Sequence, residues 1–239
     1  MVLRDKLNIE EKYIENIKFD EETINEDLEE FNRNIENWDK ERIRVQFEDL
    51  IRYSYQVLLS KYSLGLSVSD LLKDYKQTVS FMENGWEAES GYVQMVWFLS
   101  MGIMFEVEQI EFDKLVTLVE RDNARDYLLD LLIQNRNSSW GKQTTKFKFP
   151  KPYQALSEVV VLSQTDKQKS IERLQQYLQK EWYKGHSDCG WHNDHKSKWG
   201  VHFGYWSFES GAIVKILGLD DSILKDQQYY PYDMVHWKD

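Results

Sequence analysis

The sequence predicts an all-α fold, and three observations carry that prediction. Only three prolines interrupt the 239 residues, at positions 150, 152 and 231, so helical hydrogen bonding is open to almost the whole backbone. Apolar residues recur at alternating steps of three and four, which stacks them on one stripe of a helix. Gly, Ser, Asp and Asn fall between these runs, where helices stop and start.

From Asp20 to Trp38 the first stripe is Ile24, Leu28, Phe31, Ile35 and Trp38. Glu22, Glu26, Glu29 and Glu36, with Arg33 among them, project from the opposite face, as on a solvated surface helix. Residues 39–63 extend a second helix through Ile43, Phe47, Leu50, Ile51, Tyr55 and Leu58, with Gly65 as its C-terminal cap. Ser67, with Asp70 three residues on, reads as a variant capping box for a third helix through Leu71, Leu72, Tyr75, Val79 and Met82. Helices follow near 90–107, 110–121 and 124–136. The first of these holds the apolar run MVWFLSMGIMF, Met95 to Phe105. It is well short of the ~20 residues a membrane-spanning helix needs, so it reads as a buried core helix.

The stretch from Asn137 to Pro152 breaks the periodicity with Asn, Ser, Gly, Thr and two prolines. It divides an expected amino-terminal helical domain, residues 1–137, from a smaller carboxy-terminal one, residues 152–239. Beyond it the pattern gives helices near 153–164 and 167–183, the second capped by Asp166, and one near 205–217 ended by Gly218. LGLSVSDLLKD (64–74) and LGLDDSILKD (217–226) echo each other as a Leu-Gly stop followed by a capped restart. The tail YYPYDMVHW (229–237) reads as an extended strap over aromatic core surface, and its aromatics could also line a ligand pocket.

Charge narrows the function. Lys and Arg total 30 against 41 Asp and Glu, a formal net charge of −11. That balance repels phosphate backbones and phospholipid headgroups alike, so neither nucleic acid nor a membrane is an expected partner. The acid is concentrated: residues 1–49 hold 16 acidic and 8 basic side chains. A single cysteine forms no internal disulfide, and MVLRDKLNIEEKYIE lacks the apolar core of a secretory signal, so a reducing cytoplasm is the expected compartment.

One stretch invites an enzymatic reading. GHSDCGWHNDHKSKWG, residues 185–200, holds His186, Cys189, His192 and His195 at a constant spacing of three. On a helix, steps of three fan side chains around the axis and do not converge on one ion. On a loop broken by Gly185 and Gly190 a pair could meet, but a zinc site would still need a second segment, from His202 or His236. The alternative enzyme is therefore a metal-dependent hydrolase built on His186, His192, His195 and His202. The competing reading is a polar loop whose His and Trp side chains pack on neighbouring helices. Cys189 between two histidines could be an activated thiol, although catalytic partners are spatial rather than sequential neighbours. The sequence holds no phosphate-cradling glycine loop, GxSxG elbow, HExxH or CxxC, and no cofactor or metal is expected.

Several longer motifs resemble a known family. GYWSFE (204–209), LGLDDSILKD (217–226) and YYPYDMVH (229–236) resemble the carboxy-terminal domain of the PoNi immunity proteins, which are paired with PoNe-type polymorphic DNase toxins. RDKL (4–7), KYIE (12–15), GYVQMVWFLSMGIMFEV (91–107) and DYLLDLLI (126–133) resemble the family's helical amino-terminal domain. The family's recurring Gly-Trp and His-Lys fall on Gly190–Trp191 and His195–Lys196, whereas Cys189 and His192 have no counterpart in it. The resemblance implies a cytoplasmic bacterial protein that is not an enzyme and that neutralises a nuclease delivered between competing cells. A nuclease must be cationic to hold DNA, so an acidic partner can dock on it, with Glu22, Glu26, Glu29 and Glu36 as the expected contacts. Trp38, Trp86 and Trp140 are read as exposed aromatics able to anchor such a contact. A helical scaffold for some other basic protein fits the same charge pattern.

Overall fold

A computed structural model describes residues 2–238; Met1 and Asp239, where the two expected domains begin and end, lie outside the described residues. Every helix expected from the periodicity is present, and no strand occurs among the described residues. The chain divides into two compact units, Met1–Gly91 with Asn193–Tyr205, and Tyr92–His192 with Trp206–Asp239.

In the first unit, α1 (Glu10–Asn34) begins well before Asp20 because its buried side starts at Tyr13 and continues through Asp20 and Ile24. It ends at Asn34, and a 3₁₀ turn, Ile35–Asn37, follows. Asp39 then caps α2 (Lys40–Leu64) by accepting from the Arg42 backbone N–H at 2.8 Å. Gly65, at φ 98°, ends α2 in the left-handed conformation that favours glycine. Arg4 supplies the charge that the helix's carboxyl end favours, donating to the carbonyls of Tyr62 and Leu66 at 2.9 and 2.7 Å. The expected capping box at Ser67 does not form. Its hydroxyl instead pairs with Ser69, a 3₁₀ turn spans Val68–Asp70, and α3 (Leu71–Gly85) starts at Leu71.

α2 lies between α1 and α3 and supplies most of the core of this unit, with Leu50, Leu58, Leu59 and Tyr62 fully buried. Phe47 meets Phe31 of α1 edge-on at 5.2 Å and Phe81 of α3 at 6.1 Å. Lys61 ties all three helices together through Glu21 at 2.8 Å and Asp74 at 3.0 Å.

The second unit is built on α4 (Tyr92–Met104), which is buried nearly all round as its apolar run requires. α5 (Gln109–Arg121) and α6 (Tyr127–Arg136) pack on it. The irregular stretch 137–152 lies inside this unit. Buried Asp126 caps α6 and also accepts from Lys148 N–H at 2.7 Å, while buried Asp130 accepts from Trp140 Nε1 at 3.0 Å and Thr144 N–H at 2.9 Å. Two buried carboxylates thus hold a segment that has no apolar period of its own.

A short turn, α7 (Pro150–Tyr153), leads to the hairpin of α8 (Ala155–Ser163) and α9 (Lys167–Tyr177). Asp166 caps α9 through Lys169 N–H, as expected. A π turn, Leu178–Trp182, carries the chain into α10 (Tyr183–Gly185). α11 (Phe208–Leu217) packs on α4 and ends at Gly218, φ 57°. The tail is not the extended strap that its proline and tyrosines suggest. Its centre is one helical turn, α12 (Tyr232–Val235), whose Val235, with Pro231, lies against Gly211 of α11. The two Leu-Gly echoes both run from a left-handed glycine into a 3₁₀ turn, but only the first restarts a full helix.

Candidate functional site

Glu11, Glu15, Lys18, Glu22, Glu26 and Glu29 follow one another on α1 at steps of three and four, and all are exposed. They form one stripe along the helix, opposite the buried Tyr13 and Ile24. Glu22 has one cationic neighbour on the stripe, Lys18 at 3.8 Å, an exposed pair worth about 0 to 1 kcal/mol. Three of the four acids expected to share a face therefore do so. Glu36 is exposed as well but lies off the helix, on the 3₁₀ turn, because α1 ends two residues earlier.

The tryptophans read as exposed anchors are placed differently. Trp86 and Trp140 are buried, each with its indole N–H satisfied, by the Gly91 carbonyl and by Asp130. Trp38 is half-buried beneath the Arg42 guanidinium, 4.8 Å from its ring. The exposed tryptophan is Trp199, at 72%.

Trp199 sits on a loop that the first unit holds from beneath. His202, almost fully buried, donates through Nδ1 to Asp194 at 2.7 Å and through Nε2 to Asp5 at 2.9 Å. Burial on its own would lower the imidazole pKa, but the hydrogen bonds and charges of Asp194 and Asp5 overcome it and hold the value up at about 9. The group is an imidazolium between two carboxylates. Tyr205 closes the ring of contacts: its N–H donates to Asp5 at 3.2 Å and its hydroxyl to Asp194 at 2.6 Å. With that proton committed, the hydroxyl accepts from His195 Nδ1 at 2.9 Å. Asn8 and Asn16 donate from their side-chain amides to the Gly200 carbonyl, at 3.3 and 2.9 Å.

His186, Cys189 and His192 belong to the second unit. His186 donates through Nδ1 to the Trp182 carbonyl at 2.7 Å, which leaves Nε2 to accept from the Tyr153 hydroxyl at 2.8 Å. Burial pushes its pKa down to about 4, so it is neutral. His192 stacks on Tyr183 with centroids 4.3 Å apart, and His236 bonds Asp221 at 2.9 Å. Among the described residues no group of three or more His, Cys, Asp or Glu is arranged to hold a metal ion. His186 and His202 each have both ring nitrogens occupied by protein. The Cys189 thiol is pushed up to about 11 by burial and by Asp188, the direction opposite to that of an activated thiol.

The periodicity of the sequence does not single out the buried acids. Glu209 is fully buried, and its Oε1 accepts from Ser207 and Trp182 at 2.7 Å each and from Tyr177 at 3.2 Å. Burial raises its pKa, against those donors. The signal lay in GYWSFE: a glutamate in an aromatic run, with a serine two residues before it.

The comparisons agree with this architecture. The family model described as "PoNe immunity protein (PoNi), N-terminal" matches residues 4–117, and "PoNe immunity proteins (PoNi), C-terminal" matches residues 124–234. The chain belongs to the PoNi family of immunity proteins. Its fold is similar to that of protein PA2201 from Pseudomonas aeruginosa, with a TM-score of 0.67 and 17% identity over 92% of this chain and 87% of that one. No curated protein matches the chain in sequence. No helix among the described residues is long and apolar enough to cross a membrane.

Proposed function

We propose that the chain neutralises a cognate PoNe DNase toxin by binding it directly, without catalysis, through the acidic stripe of α1. The observation that carries this reading is the exposure of Glu22, Glu26 and Glu29 on one face of a helix, in a member of an immunity family. Glu36 extends the acidic surface past the end of the helix. A DNase needs cationic surface to hold phosphates, so this stripe competes for the same potential that attracts DNA and speeds encounter with the toxin. The cytoplasm of the toxin-exposed cell is where such a complex acts.

Co-expression tests the reading. The chain, co-expressed with its cognate PoNe toxin, is expected to co-purify as a stoichiometric complex and to protect plasmid DNA, without turning over any substrate of its own. A toxin that kills cells expressing the chain, or purified proteins that do not associate, would contradict it.

A further inference from the structure

We propose that Trp199 and Phe19 are the apolar anchors of this contact, and that they fit an apolar hollow flanked by cations on the toxin's nuclease domain. The proposal rests on the toxin-binding reading above and adds where the contact's affinity resides.

A single exposed apolar side chain is ordinary, but exposed aromatics stand out, because Trp is enriched among the residues that dominate binding energy. Trp199 is 72% exposed, its neighbour Val201 50% and Phe19 63%. All three belong to the first unit. Ile110 and Val161, also exposed, lie on helices of the second unit.

The Trp199 loop is built to be rigid. The imidazolium of His202, fixed by Asp5 and Asp194, closes one end, and the amides of Asn8 and Asn16 hold the Gly200 and His202 carbonyls. Gly200 is at φ 66° and lies against the Lys12 side chain, where a Cβ would meet that chain at 2.9 Å. An anchor held this way loses little conformational entropy on binding.

Its footprint on α1 connects it to the acids. The loop rests on Lys12 and Asn16, and Phe19 follows them at i+7 and i+3, the next position along the same side of the helix. Phe19 is itself bordered by Glu15, Glu22 and Glu26 at i−4, i+3 and i+7. Phe19, edged by these carboxylates, calls for a cationic rim on the partner. Beside Trp199 stand exposed Lys196 and Lys198, the latter with its ammonium 4.6 Å from the Trp199 ring centroid, so the partner supplies an acceptor there.

The test is calorimetric titration of the PoNe nuclease domain into wild type, Trp199→Ala, Phe19→Ala and the control Val161→Ala. Trp199→Ala is expected to bind at least about 10-fold more weakly and Phe19→Ala several-fold more weakly, with Val161→Ala within about two-fold of wild type. Because these side chains are exposed, thermal melts of the variants should stay close to that of wild type. Trp199 oxidation in the wild-type complex gives a readout independent of any variant: the indole is expected to be protected by the toxin. Wild-type affinity retained by Trp199→Ala, or Trp199 oxidised as fast in the complex as free, would overturn the anchor. So would a toxin-free dimer that Trp199→Ala makes monomeric, since the patch would then serve a second copy. No binding by wild type would instead overturn the toxin reading itself.

Discussion

His202 and His186 are both buried, sixteen residues apart in one histidine-rich stretch, and their environments hold them in opposite charge states. In the first unit His202 lies between two carboxylates and is held protonated, with a pKa of about 9. In the second, His186 is packed among Trp182, Trp191 and Tyr153, bonded to a carbonyl and a hydroxyl, and its pKa falls to about 4. An imidazolium between two acids locks chain segments 197 residues apart in sequence, and it holds the loop that displays Trp199. A neutral imidazole in an aromatic nest completes a core and presents nothing to a partner.

Replacing each histidine by phenylalanine should separate the two roles most sharply. His202→Phe leaves Asp5 and Asp194 buried without their cation and should cost about 3–5 kcal/mol in denaturant unfolding. His186→Phe keeps a ring in the nest and loses two neutral hydrogen bonds, an expected cost of about 1–3 kcal/mol. Equal losses would mean that the charge on His202 contributes nothing.

The pH dependence of the pair runs in opposite directions. The folded pKa of His202 lies above its ordinary 6.5, so its stabilisation is fully present below pH 6.5 and is lost as pH rises through about 9. The folded pKa of His186 lies below 6.5, so the neutral ring favours folding above pH 6.5, and that contribution is lost as pH falls toward about 4. Each difference corresponds to about 3 kcal/mol across its window. Histidine Cε1–H resonances followed by NMR should show one ring titrating well above pH 6.5 and one well below it. Coincident titrations near 6.5 would contradict the two environments.

How much of this was legible follows from which contacts are local. The helices were readable because amphipathic spacing, the Asp166 cap and the Gly65 and Gly218 stops are written within a few residues of where they act. Glu22, Glu26 and Glu29 were readable as one face for the same reason. Glu36 was misplaced by the small margin that ends α1 at Asn34. The pairing of Asp5 with His202 left no local trace, since nothing in RDKL signals a partner so far along the chain. Nor did composition tell an exposed tryptophan from a buried one: Trp86 and Trp140 are buried with carbonyl and carboxylate acceptors for their indoles, while Trp199 stands in solvent.

Recognition of a cationic toxin surface by the α1 stripe would show most directly in the association rate with the PoNe nuclease domain as ionic strength is varied. Wild type should associate fast at low salt and slow steeply as salt is added, and Glu22→Lys, Glu26→Lys and Glu29→Lys combined should cut the low-salt rate by about 10-fold or more and flatten the salt dependence. An association rate that ignores both salt and the triple charge reversal would contradict the account.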